Sequence, residues 1–186
     1  YLFIETVSNV YYNVNLARNV AAVSSLVKSN IDKYADSAEL NKYGARFKYS
    51  KFLKIIDQSH ESISSNITTI QIRRDLRIAA NQFAEYAIDF GNQFHISSME
   101  GYNIRSSGFK VIDIVDTVYL FDVPDTDKKK GKISLFTLPG AGNAGPAQVV
   151  RRNIGVIDYV KGRITLNPIN IVSGKSKDNV EILEIS

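Results

Sequence analysis

The stretch Tyr49–Phe94, YSKFLKIIDQSHESISSNITTIQIRRDLRIAANQFAEYAIDFGNQF, decides the fold. Its first part places Phe52, Leu53, Ile55 and Ile56 on one face at helical spacing, with Ser50 positioned to cap a short helix that stops near Ser59. The period then changes from helical to alternating. In SISSNITTIQIRR, Thr68, Ile70, Ile72 and Arg74 share one face of an extended strand, and Thr69, Gln71 and Arg73 share the other. In EYAIDF, Tyr86, Ile88 and Phe90 point one way and Glu85, Ala87 and Asp89 the other, the pattern of a half-buried antiparallel strand. Gly91 and Asn92 end that strand with turn chemistry.

Toward the N-terminus, Tyr1 to Leu16 is dense in β-branched and aromatic residues and reads as a strand. Asn19 is placed to cap a following helix in which Val20, Val23, Val27, Ile31 and Tyr34 recur at steps of three or four, giving one packed face. Asp36 to Arg46, broken by Gly44, connects the two helices. Beyond Phe94 the helical period is lost, and FKVIDIV, TVYLFDV, GKISLFTL, VVRRNIGVIDYV and GRITL read as strands. PDTDKKKGK is an exposed hairpin tip, Val160-Lys161-Gly162 a tight turn, and NVEILEIS a closing strand. The predicted class is α+β: a small two-helix unit packed on an antiparallel sheet, followed by a β-rich hairpin and meander region. The expected divisions are an α+β core unit over 1–94, the β-rich region over 95–172 and the closing strand over 173–186.

The composition of the 186 residues is ordinary for a folded domain, with 44% hydrophobic and 23% charged residues. Cysteine is absent, which removes disulfides, cysteine-ligated zinc, iron–sulfur clusters and thiol nucleophiles. The net charge of +4 is too small and too scattered to imply nucleic-acid binding, and no apolar run is long enough to span a bilayer. The expectation is a protein that is neither membrane-spanning nor exported. The opening on Tyr1, without methionine and already in strand-like sequence, suggests the C-terminal piece of a longer polypeptide.

The block from Tyr49 to Phe94 carries a family resemblance in Ser62, Ile63, Ser65, Asn66, Ile70, Ile72, Arg73, Arg74, Asn81, Tyr86, Ile88, Phe90, Gly91 and Asn92. These elements resemble the C-terminal part of the baseplate wedge protein of contractile-tailed bacteriophages, within the broader baseplate-J-like family. A second element, Gly155, Asp158, Tyr159, Gly162, Ile164 and Leu166, is similar to one near the end of wedge-type sequences. Read from the residues alone, Asp158 and Gly162 bracket a hairpin, and Tyr159 buries its ring while keeping its hydroxyl in water. The resemblance implies a non-enzymatic virion component of the tail baseplate, present in the host cytoplasm during assembly. It further implies self-association, as a homodimer or larger assembly, and contacts with other baseplate wedge proteins. These would build the ring around the tail tube and couple it to sheath contraction.

The residues supply no rival catalytic constellation. His60 and His95 have no carboxylate or second histidine at ligand spacing, and no serine sits in G-x-S-x-G or S-x-x-K. GAGNAG, within Leu138–Pro146, superficially matches a dinucleotide fingerprint, but a strand rather than a helix follows it, so an exposed hairpin loop is the reading. Asp113 with Asp116, and Asp125 with Asp127, read as loop and strand-end carboxylates without the calcium-loop pattern. No catalytic, cofactor-binding or metal residue is therefore assigned, and no cofactor is expected. Lys128 to Lys130 form a solvated hairpin tip. Because arginine makes bidentate interface contacts, Arg73, Arg74, Arg151 and Arg152 are the candidate assembly contacts, with intramolecular salt bridges as the alternative. The loops Asp125–Lys132 and Leu138–Pro146 have no assigned role. A second function reading is a β-rich module that binds carbohydrate or a host surface as part of a phage tail, using some of the ten tyrosines, although these are spread along the chain.

Overall fold

The computed structural model describes residues 2–17, 19–140, 142 and 145–186. Among these residues it shows a mixed α+β fold with two α-helices and antiparallel sheets. By compactness the chain divides into one unit of Thr6–Ile70 and another of Tyr1–Glu5 with Gln71–Ser186.

In the smaller unit, helix α1 (Val20–Ala35) and helix α2 (Tyr49–Asp57) bury Val27, Tyr34, Phe52 and Ile56 together, with Val10, Ile31, Leu40, Phe47, Ile55 and Ile63 packed around them. The side chain of Asn19 caps α1 as expected, accepting a hydrogen bond from the Ala22 N–H at 3.2 Å. Asn19→Ala should therefore lower the unfolding free energy by about 1 kcal/mol, read from the midpoint of urea denaturation. Val20, expected on the packed face, is 47% exposed in the first turn, whereas Val23 is buried.

Helix α2 starts two residues earlier than expected. Its cap is Lys48, which makes no side-chain bond, and Ser50 lies inside the helix. Packing of Phe52 and Ile56, rather than a cap, fixes this short helix. Strand β1 (Leu2–Tyr12) ends before the expected Leu16, because the Asn13 carbonyl turns the chain by accepting from the N–H groups of Leu16 and Ala17. Strand β2 (Ile63–Arg77) is tied to the helix by Asn66, whose Nδ2 donates to Asp57 Oδ1 at 2.6 Å and whose Oδ1 accepts from Thr68 Oγ1 at 2.9 Å. Ser62, Asn66 and Thr68 thus spend their polar groups on the fold; Ser62 is buried against His60 Nδ1 at 2.8 Å.

In the larger unit, β2 pairs through Arg74–Arg77 with β10 (Val180–Ile185), which pairs in turn with β9 (Lys175–Lys177). Asp178 and Asn179 between β9 and β10 both have positive φ, 51° and 61°, the backbone a tight two-residue hairpin requires and these side chains tolerate. The remaining strands are β3 (Gln82–Asp89), β4 (Phe109–Val111), β5 (Ile114–Pro124), β6 (Lys130–Thr137), β7 (Gln148–Asp158) and β8 (Arg163–Ser173). They form one sheet in the order β3-β8-β4-β5-β6-β7, with β7 also bonded to β8.

That last pairing closes β4 to β8 into a ring. One edge of β8 serves both neighbours: residues Arg163–Leu166 pair with β7, and Ile171 and Ser173 pair with β4. Its other edge carries β3. Pro168, which has no N–H to give, falls where the β3 register shifts between Ala84 and Tyr86. Fully buried Phe109, Leu120, Ile133, Leu135, Ile157, Ile164, Leu166 and Ile171 fill the interior, joined by Leu183 and Ile185 of β10. The alternation read in EYAIDF holds, with Tyr86, Ile88 and Phe90 buried.

The turn after β7 is as tight as expected. Gly162 has φ +65°, and a Cβ there would lie 1.8 Å from the Asn92 carbonyl oxygen, so the hairpin tip packs directly on the Gly91–Asn92 turn. The β5–β6 tip is closed by the Asp125 N–H donating to the Lys130 carbonyl at 2.8 Å, and its lysines are exposed. The glycine loop joins β6 to β7; Ala141, Asn143 and Ala144 in it lie outside the described residues.

Candidate assembly surfaces

Arg73 is committed inside the chain. Its guanidinium lies 2.5 Å from Glu5 Oε1, 3.0 Å from Asp75 Oδ1 and 3.6 Å from Glu184 Oε1, and 4.7 Å from the centre of the Phe3 ring. Lys177 approaches the same ring at 4.7 Å and pairs with Asp75, and Lys175 pairs with Glu184. Acids and bases balance in this cluster.

Arg74 makes no ion pair among the described residues, and its Nε is buried without a hydrogen-bond partner. Arg151 pairs with Asp113 in the β4–β5 turn, whereas Arg152 is exposed and makes no ion pair among the described residues. Arg163 grips Asp89 with two bonds of 2.6 Å. The guanidinium beside each holds the carboxyls of Asp89 and Asp113 below the usual carboxylate range. Depressed carboxyls stabilise the fold above the ordinary carboxylate range, and this contribution disappears as pH falls through the folded value. Both pairs are exposed, so salt weakens them.

The best satisfied polar centre was not anticipated from the sequence. Asp122 is fully buried on β5. Its Oδ1 accepts from the Ile104 N–H at 2.7 Å, and its Oδ2 accepts from Asn103 Nδ2 at 2.8 Å and from the Tyr159 hydroxyl at 2.5 Å. Asn103 in turn accepts the N–H groups of Ser97 and Ser98, each at 2.9 Å. The Tyr159 hydroxyl, expected in water, is therefore sealed inside; the partner that allows this is 37 residues away in sequence. Burial, followed by the bond to Asp122, pushes the Tyr159 phenol well above its ordinary value.

A raised pKa means that the folded state holds its proton more tightly. The stabilisation is complete below the unfolded value of about 10 and is lost as pH rises beyond it. Melting temperature should accordingly fall steeply above that pH, and Tyr159→Phe should flatten the fall in a pH series of thermal melts.

The smaller unit presents an open surface. Strand β1 ends the order β1-β2-β10-β9, so one of its edges has no strand partner among the described residues. On β1 and β2 the outward positions Val7, Ile67 and Tyr11 are 69%, 60% and 52% exposed. Ser8 and Thr68, one residue on, turn the other way and bond at 2.8 Å. On that inner side a groove of about 420 Å³ separates β1 from α1, lined by Val10, Val20, Val23, Val27 and Ile31 among others. A long strand with an unpaired edge beside an apolar groove is a surface that a further strand or helix would complete.

Among the described residues no three His, Asp or Glu side chains gather as metal ligands, and no helix is long and apolar enough to cross a membrane. The geometry describes a mixed α+β protein with an open strand edge beside an apolar groove. Residues 1–75 match the family model described as Baseplate structural protein gp6, C-terminal domain III, which supports a structural role in the baseplate wedge of a phage, in the virion tail. No curated protein matches the chain. Of the positions that carry the wedge-protein resemblance, Ser62 to Arg74 lie inside the matched segment, whereas Asn81, Tyr86, Ile88, Phe90, Gly91 and Asn92 lie beyond it. The closed ring of strands also lies beyond it.

Proposed function

We propose that this chain is a structural component of a phage tail baseplate wedge, in the wider baseplate-J-like group, and that it self-associates through the open edge of β1. In this reading it also binds other wedge proteins, helping to build the ring around the tail tube and to couple that ring to sheath contraction. The observation that carries the proposal is the open edge of β1 beside the α1 groove, within the segment that matches the baseplate family. An antiparallel pairing of β1 with β1 of a second copy about a two-fold axis would continue the sheet and bring a second α1 over the groove. Arg74 and Arg152, which have no ion-pair partner among the described residues, are offered as contacts to carboxylates of neighbours. Arg73 is already paired with Glu5, Asp75 and Glu184, and Arg151 with Asp113, so either would reach a neighbour by sharing those carboxylates.

Sedimentation velocity across a concentration series tests self-association. The expected result is a sedimentation coefficient that rises with concentration. A single species of monomer mass at every concentration would overturn it.

A further inference from the structure

A cavity of about 430 Å³ opens on the ring of strands, outside the segment matched to the baseplate family. Its lining includes Tyr102, Tyr119 and Phe136, together with Arg105 and Ser106. The volume suits one or two sugar units. The aromatic groups are far apart in sequence but form one assembly. The Tyr102 ring stacks on Phe121 with centres 4.8 Å apart and planes at 17°, Phe136 meets Tyr102 edge-on at 5.5 Å, and Tyr119 stacks on Phe136 at 5.4 Å.

The backbone is shaped to present that ring. Tyr102 has φ +62°, a left-handed conformation that a bulky side chain disfavours and that is found where a site over-determines it. Gly101 makes the approach possible, since a Cβ there would lie 2.0 Å from the Asp122 carbonyl oxygen. Asn103, the next residue, is pinned to the Asp122 carboxyl. Despite this investment, Tyr102 remains 44% exposed, so its ring is held at the surface rather than spent on the core.

Polar groups complete the cavity. Arg105 is exposed, makes no ion pair among the described residues, and is fixed by exchanging backbone hydrogen bonds with Ser186 at 2.8 and 2.9 Å. Ser106 Oγ accepts from the Leu120 N–H at 2.8 Å, which leaves its hydroxyl proton free to donate. A flat aromatic face suits the apolar face of a sugar ring, and an unpaired planar guanidinium suits a carboxylate. We propose that this cavity binds a carboxylate-bearing sugar unit of a surface polysaccharide, with Tyr102 as the stacking plate and Arg105 as the carboxylate contact.

The test uses the chain as it stands, with a glucuronic-acid oligosaccharide and a neutral glucose oligosaccharide as probes, read by saturation-transfer NMR and calorimetry. The acidic probe should bind at least about tenfold more tightly than the neutral one, and Arg105→Gln should erase that difference. Tyr102→Asn should abolish binding of both while leaving the thermal transition cooperative, because asparagine accepts left-handed backbone readily. Should that variant fold poorly, exposed Arg105 still decides the matter. Binding of neither probe, or binding that neither variant alters, overturns the proposal; so does capture of an acidic peptide in place of both sugars. The readout is independent of sedimentation, so failure here leaves the assembly reading standing, and the reverse.

Discussion

Asp122→Ala is expected to lower the unfolding free energy by about 3–5 kcal/mol, the sum of buried donors left without an acceptor at roughly 1–3 kcal/mol each. The change orphans the Tyr159 hydroxyl and the Ile104 N–H in the interior and removes one of the Asn103 Nδ2 contacts. It also removes one tie of the Ser97–Asn103 loop to the strands, through Asn103, while the Tyr102 N–H still donates to the residue 122 backbone carbonyl. Tyr159→Phe removes one donor and leaves the Ile104 and Asn103 bonds, so its cost should be about 1 kcal/mol. Urea denaturation of both variants gives the comparison. If Asp122→Ala costs no more than Tyr159→Phe, this group does not hold the loop in place.

The second large effect is on association. Val7 and Tyr11 lie on the outer face of β1 and are 69% and 52% exposed, so lysines there cost the isolated fold little. In a β1-to-β1 pairing centred on Asn9, the lysine at 7 of one copy would face the lysine at 11 of the other, and like charges directly opposite are destabilising. The double variant Val7→Lys, Tyr11→Lys should weaken self-association by at least about tenfold, or 1.4 kcal/mol, with an almost unchanged urea midpoint. Association that persists unchanged in the variant would place the interface elsewhere.

The comparison of sequence with structure divides along a physical line. What was legible is local: the capping of α1 by Asn19, the alternation of EYAIDF, the tight turn at Gly162 and the closing strand each depend on residues within a few positions of one another. Even locally, Ser50 misled, because a good capping residue inside the first turn of a helix has the same sequence signature as one at its start. What was not legible depends on distant partners. β3 finds its neighbour in β8, where Arg163 and Asp89 are 74 residues apart, and the burial of Tyr159 depends on Asp122. The arginines show the same limit. Adjacent residues on β2 differ completely in company, Arg73 being surrounded by Glu5, Asp75 and Glu184 while Arg74 has no ion pair among the described residues, and only the placement of β1 and β10 decides which is which. The tyrosines that looked dispersed include Tyr102 and Tyr119, which the ring of strands gathers beside Phe121 and Phe136.

The double service of β8 sets a timetable for synthesis. Strands β4 to β7 are consecutive hairpins, whereas neither end of that ribbon can be joined until Arg163–Ser173 has been made and bonded to both. Nascent chains arrested before that point should expose the apolar inner face of the ribbon, and those arrested after it should resist protease, with late contacts of this kind slowing the search for the native state.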